Sequence, residues 1–535
     1  MNLNAGATLT GVGTVDPSTV TIGSGSTFIP GTAGVPGTSM TIAGNLAFQS
    51  GALYVVSVNQ ATSSFANVTG TAALGGTVQA TFSPGISMVR QYTILQSAGL
   101  NGTTFAGLTT SNAPANFTET LSYSADDVFL NLNAALGQGT ALNQNQQSVA
   151  TTINNVFNSG ATLPPGFVNV FGLSGNGLSH ALTQLDGEDA TGAAHSAFIL
   201  MNDFLGLMLD PFVYGRGGAA SGGGALGFAP DQQASLPPDV ALAYAGILKA
   251  PPRQSVDQRW TVWGAGFGGT GTANGDPTVG SNNLTASTYG FAAGADYHVS
   301  ADTVLGFAAA GSGTNWSLAQ SLGTGRSDAF QAGVYGTKYF GPAYIGAALA
   351  FTNNWFTTNR IAAAGDQLTA SFNGQSFGAR VEGGYRYAVA PAAGVTPYAA
   401  IQAQSFHTPT YSETDLTGGG FGLTYNAMTA TDTRSELGAR FDALTAWGAM
   451  PVQLRARLAW AHDWVSNPAL DAAFQALPGS SFVVNGAAVP QNSALTSVGA
   501  ELHLTPRWTV IGKFDGQFAS SAQTYAGSGT LRYQW

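Results

Sequence analysis

Cysteine is absent from the 535 residues, which removes any disulfide framework and the thiolate ligands of most structural zinc sites. Charge is scarce too. Asp, Glu, Lys and Arg make up 8% of the chain, against about 25% in an ordinary soluble protein, which is not the profile of a cytosolic enzyme. What charge there is leans acidic, with a net value of -10, so nucleic acid, a polyanion that needs a basic footprint, is not an expected partner. No stretch reads as a spanning helix: Ala197–Val213 comes nearest and is broken by Asp203, Asp210 and Pro211. His180, His195, His298, His407, His462 and His503 have no metal-like spacing, and no cofactor is expected. The first residues, Met1 to Leu9, lack the basic and apolar segments of a secretory leader.

Present instead are 72 glycines and a long run of alternation. From Arg259 to Trp535 the period of two predicts strands at Arg259–Gly269, Thr288–His298, Thr303–Trp316, Asp328–Phe340, Ala343–Phe356, Leu368–Tyr387, Thr396–His407, Thr433–Ala443, Val452–Trp464, Ala494–Leu504, Trp508–Phe518 and Tyr525–Trp535. In the ninth, Val452, Leu454, Ala456, Leu458 and Trp460 form one face and Gln453, Arg455 and Arg457 the other. The same split puts Arg380, Glu382, Arg386, Glu436, Arg440, Asp442, Glu501, Lys513, Asp515 and Arg532 on that second face. An Arg or Lys at the lipid midplane costs about 2–4 kcal/mol, so the shared charged face is the expected lumen of a closed, antiparallel, 12-stranded transmembrane barrel. The last strand ends on Leu531, Tyr533 and Trp535 with nothing beyond. An outer-membrane barrel without a leader is expected to be a fragment of something longer.

Upstream, residues 1–138 are poor in charge, with short runs such as Ser39–Ala43 and Gly76–Thr81 between glycine turns. They predict a right-handed β-helix, or solenoid, whose rungs bury their inner faces against one another. Residues 139–258 read as a helical, glycine-rich connector: a helix over Ser148–Phe157, an apolar one over His195–Leu209, the linker Gly215–Gly224, and a helix Val240–Lys249 capped by Asp239. The last of these, nearest the first barrel strand, is the expected occupant of the lumen, with His195–Leu209 packed elsewhere. The mainly β chain thus divides into solenoid end, connector and barrel (259–535).

At this point the chain resembles the autotransporters of the type V secretion pathway. The likeness rests on Trp460-Ala-His-Asp-Trp464, Phe482-Val-Val-Asn-Gly486, the strand Ser493–Leu504 and the aromatic end, and upstream on Tyr92–Leu95, Gly102–Leu108 and Leu121–Leu132, which are similar to the end of a pertactin-type passenger with its autochaperone segment. It implies an outer-membrane barrel, monomeric, assembled by the Bam machinery with periplasmic chaperones. The barrel would export and display its own passenger, an adhesin being one possibility, around a polar connector in a hydrated channel. It also implies that Leu531, Tyr533 and Trp535 act as the assembly signal, although Thr530 stands where a glycine is often found. Asn154-Asn155 resembles the pair at which some members cut themselves inside the pore, but it lies far upstream of the first strand and is read as a surface helix pair.

Sharper motifs fare poorly. Gly374-Gln-Ser-Phe-Gly378 fits a nucleophile elbow, yet sits mid-strand with no following helix. Gly264–Gly269 fits a phosphate loop, again with no helix to follow. Trp460, Trp464, Trp508 and Trp535, with His462, are expected at the membrane interface. The competing functions are a passive porin, which leaves residues 1–250 without a role, and a surface hydrolase whose catalytic part lies outside this chain.

Overall fold

In the computed structural model the described residues are 1–85, 89–210, 259–448, 450–465 and 469–535. The expected helix Val240–Lys249, its cap Asp239 and the linker Gly215–Gly224 lie outside them.

The N-terminal part is built from three sheets whose early strands pair in parallel. Stacking places Val20, Leu46 and Ala72 in one column and Phe28, Tyr54 and Val78 in another, all buried. Polar neighbours such as Thr21 and Thr77 point outward because side chains alternate along each short strand. A growing stack of this kind leaves an open edge. Here Gln91–Gln96 is covered by the antiparallel hairpin of Phe117–Tyr123 and Asp127–Ala134, which ends parallel growth and seals the solenoid.

Three helices follow: α1 (Gln144–Asn158), α2 (Pro165–Phe171) and α3 (Gly175–Leu185). Only the first has a counterpart in the sequence reading. It opens with a capping box in which Asn143 and Gln146 satisfy each other's backbone. Asn154 grips the backbone of Leu136 from both sides, at 2.9 and 3.2 Å, and Asn158 does the same to Ala134. Asn154 and Asn158 therefore fasten the solenoid to α1, while Asn155 is exposed. A turn then leads into α4 (Gly192–Leu209).

The barrel strands are β1 (Trp260–Ala273), β2 (Leu284–Ser300), β3 (Thr303–Leu318), β4 (Thr324–Phe340), β5 (Ala343–Ile361), β6 (Gln367–Tyr385), β7 (Ala393–Thr408), β8 (Met428–Trp447), β9 (Met450–Val465), β10 (Asn492–His503), β11 (Trp508–Phe518) and β12 (Ala522–Gln534). Each pairs antiparallel with the next, and β12 pairs with β1 to close the ring. Trp260 and Trp535 exchange both backbone bonds, at 3.3 and 3.1 Å. Tight turns such as Phe340–Ala343 and Ser300–Thr303 mark one end and long loops such as 409–427 the other, the asymmetry of outer-membrane barrels. The loops carry a sheet of their own, Tyr411–Ser412, Leu423–Tyr425, Ala469–Phe474 and Phe482–Asn485. It was not anticipated, because strands so short carry little periodicity.

Outside the barrel, Phe291, Phe307, Leu349, Phe377, Leu437, Leu458 and Val498 form an exposed apolar belt. Trp508, Tyr533 and Trp535 stack in sequence at the turn end, with ring centroids 4.7 and 5.7 Å apart. Leu349 lies near the middle of the belt. Leu349→Arg is expected to destabilise the folded barrel by about 2–4 kcal/mol, measured by urea unfolding in lipid vesicles; an unchanged midpoint would contradict a lipid-facing position.

Candidate functional site

The barrel interior is two-sided. Where the helix packs, the inward side chains of β1 to β5 include seven alanines: Ala265, Ala292, Ala308, Ala310, Ala329, Ala348 and Ala350. Gly333 and Gly378 deepen the trough, since a Cβ on them would stand 2.7 Å from Met208 Sδ and 2.6 Å from Met201 Sδ. Into it packs α4, through Leu200, Met201, Phe204, Leu205, Leu207 and Met208. The helix expected to pack elsewhere, His195–Leu209, is thus inside the barrel. The side of the helix that meets this wall is apolar, and it stays there because the wall removes its side chains from water.

The opposite wall is charged. Arg380 donates to both carboxylate oxygens of Glu436, each at 2.8 Å, and lies 3.2 Å from Glu382. Arg440 reaches Glu382 at 3.0 Å and holds its guanidinium 4.0 Å from the centre of the Tyr398 ring. Arg457 bridges Asp515 at 3.6 Å and Glu436 at 3.9 Å. Glu501 receives Arg455 at 3.1 Å and Arg532 at 3.0 Å. Arg386 meets Asp442 at 2.7 Å, and Lys513 meets Asp515 at 2.9 Å. Every charged residue named from the sequence for the lumen therefore lies in an ion pair, and Leu531 and Trp535 are exposed on the outer face. Arg434, paired with Asp463 at 2.6 Å, belongs to the same wall and was not singled out.

Between helix and charged wall remains a cavity of about 160 Å³, lined on the helix by Asn202, Asp203, Gly206 and Asp210. Asn202 accepts from Gln402 and Gln404, Asp203 accepts from Thr288 at 3.0 Å, and Lys513 donates to Asp210. Of these, Asp203 and Asp210 were read as interruptions of an apolar run, and Asn202 and Gly206 were not singled out. Their spacing was the missed signal, since positions 202, 203, 206 and 210 share one face of a helix, the face turned to the charges.

At the loop end the connector is clamped to the barrel. Asn145 and Asn485 bond reciprocally at 2.9 and 3.0 Å, Thr152 donates to the Ser481 carbonyl at 2.9 Å, and Phe167 sits edge-on to Phe421 and Phe474. The likeness noted at Phe482–Gly486 thus falls on a strand that receives α1. Ser376 of the elbow-like motif lies buried on the inner face of β6, and its flanking glycines make room for Phe406, Phe356 and Met201. It is a packing position. The Gly264–Gly269 stretch lies within β1.

Residues 262–515 match the autotransporter β-domain family model. An extracellular serine protease of Serratia marcescens is 24% identical over 269 residues, 49% of this chain and 25% of that protein. The chain therefore spans about a quarter of the length of that relative. Among solved structures, the translocator domain of the autotransporter NalP from Neisseria meningitidis is 14% identical with a TM-score of 0.42, covering 55% of this chain and 97% of that one. The β-domain of the Bordetella autotransporter BrkA is 15% identical with a TM-score of 0.41, covering 52% and 100%. The transport unit of AIDA-I from Escherichia coli is 16% identical with a TM-score of 0.36, covering 55% and 97%. A closed barrel with a charged inner wall, together with the family match across almost all of that barrel, shows the C-terminal part of this chain to be an autotransporter β-domain of the outer membrane.

Proposed function

We propose that the barrel carries its own solenoid across the outer membrane and then holds it at the cell surface. The observation that carries this reading is the path of α4: the chain comes down from the solenoid at the loop end, enters the lumen and is packed there. Long loops face the exterior in barrels of this class. With α4 packed against one wall, the space left beside it is a cavity of about 160 Å³ against the charged wall. The conformation is that of a chain whose export is complete. A passive porin would need an open lumen, and α4 fills this one.

Assembly by the Bam machinery with periplasmic chaperones, the monomeric barrel, and the division at about 138 and 258 into passenger end, connector and translocator belong to the same proposal. The β-domain is not itself catalytic. Against a serine hydrolase in the solenoid stands the composition of residues 1–135, which contain no histidine and so cannot supply a Ser-His-Asp set. The luminal charges Arg380, Glu382, Arg440, Glu436 and Arg457 act here as a polar lining along which a weakly charged chain slides.

The test places the chain behind a secretory leader in a Gram-negative host. Protease added to intact cells should remove residues 1–135 while the barrel survives, and Met201→Cys with Gly378→Cys should form a disulfide between helix and wall. A solenoid degraded only after the outer membrane is opened would refute surface display. Failure of that cysteine pair to crosslink would refute the luminal helix.

A further inference from the structure

Between α3 and α4 the chain turns through Asp186-Gly-Glu-Asp189, at the loop end and beyond the lipid belt. Gly187 has φ +71°, and a Cβ on it would stand 2.3 Å from the Tyr425 hydroxyl and 2.5 Å from Leu423 Cδ1. The turn is thus pressed beneath the loop sheet. Its three carboxyl side chains are each 2% exposed. Asp186 Oδ1 accepts from the Glu188 amide at 3.0 Å, while its Oδ2 has no hydrogen-bond partner. Glu188 accepts from the Asn282 backbone and side chain at 2.7 and 2.6 Å. Asp189 Oδ1 also lacks a hydrogen bond and lies 3.9 Å from Arg360 Nε.

From β5 comes Arg360, held by the fourth carboxylate, Glu413, at 2.6 and 2.7 Å. From the loop sheet come Tyr411 and Tyr425, the latter donating to Glu413 and the Gly187 carbonyl at 3.2 Å each. From β3, Trp316 donates its indole N–H to the Asp189 carbonyl at 3.0 Å. Among the described residues named here, Arg360 is the one cation set against four carboxyl groups. A single guanidinium bound bidentately by Glu413 cannot balance three more buried negative charges, because desolvation and mutual repulsion both favour the neutral acids.

We propose that Asp186, Glu188 and Asp189, with Glu413 and Arg360, form a proton-operated clasp that holds α1–α3 and the solenoid end on the barrel mouth while the acids are protonated and releases them when the acids ionise. The direction follows from linkage. Burial pushes Glu188 up to about 7 and Asp189 up to about 8, against the bonds from Asn282 and the charge of Arg360. Burial and the neighbouring Glu188 raise Asp186 as well. Groups raised on folding stabilise the closed form fully below the free carboxylate range, near about 4, and lose that stabilisation as pH climbs through the raised values. The clasp closes in mild acid and loosens in mild alkali.

Because the chain has no cysteine, a nitroxide pair at Gln147→Cys on α1 and Val483→Cys on the loop sheet, both exposed, reports the distance across the clasp in the full chain. One narrow distribution is expected near about pH 5 and a broad one near about pH 9, the change falling between the free and raised carboxylate values. Asp186→Asn with Asp189→Asn, amides that copy the neutral acids, should keep the narrow distribution at both. Glu413→Gln, which leaves the guanidinium to Asp189, should move the change to higher pH. Retention of the barrel's heat-modifiable migration at each pH confirms that the scaffold is intact. An unchanged distance in the parent protein overturns the proposal. So does a double amide variant that opens with the parent's pH dependence, or that is already open in acid.

Discussion

Tyr533→Asp combined with Trp535→Asp is expected to leave the protein in the periplasm, sensitive to protease and without the heat-modifiable migration of a closed barrel. The reason lies at the seam. Strand β12 pairs with β11 on one side and β1 on the other, Tyr533 opposing Trp508 and Val262, and Trp535 exchanges two backbone bonds with Trp260. Each buried backbone group left open in lipid costs several kcal/mol, so fraying the last residues exposes two edges at once. The two new carboxylates would stand on the outer face, where Trp535 is exposed and the stacked rings of Trp508 and Tyr533 mark the membrane interface. Gln534→Ala, on the opposite face, should assemble normally. A barrel of normal migration in outer membranes carrying both Asp changes would sink the assembly role given to Leu531, Tyr533 and Trp535.

The second large effect is expected from Arg380→Ala, which should lower barrel stability by about 3–5 kcal/mol, the usual cost of stranding a buried partner charge. Arg380 supplies both close bonds to Glu436, whose other cation, Arg457, stands 3.9 Å away. Glu382 suffers less because Arg440 still reaches it at 3.0 Å. Removing the pair together, as Arg380→Met with Glu436→Leu, should recover most of the loss, since a buried ion pair replaced by apolar side chains of similar volume is often neutral. Urea unfolding in detergent measures all three proteins. Equal losses in the single and paired variants would mean that Arg380 matters through its packing and not through its charge.

The lumen shows where sequence reading reached and where it stopped. Alternation along a strand is local, so Arg455 and Arg457 could be assigned to one face and Leu454 and Leu458 to the other without knowing which strand lies alongside. The shared sidedness of charges across six strands then pointed inward, because lipid tolerates so few of them. Local patterns say nothing about what a wall faces across an empty interior. The alanines and glycines of β1 to β5 read as weak strand formers, and only in the closed ring do they become a trough that fits α4. In the same way Asp203 and Asp210 read as defects in an apolar helix until Thr288 and Lys513 stand opposite them.

What the sequence determined by itself was the class of the main elements: solenoid rungs, an apolar helix at His195–Leu209, twelve alternating strands and an aromatic end. Those properties follow from periodicities of two and of about 3.6, which are written along the chain. Tertiary structure alone decided which helix enters the barrel, that the connector is clasped beneath a loop sheet, and that Asp186, Glu188 and Asp189 meet Arg360 and Glu413. These are contacts between residues far apart in sequence, selected by the volume, charge and hydrogen-bonding needs of a closed interior, and no local period records them.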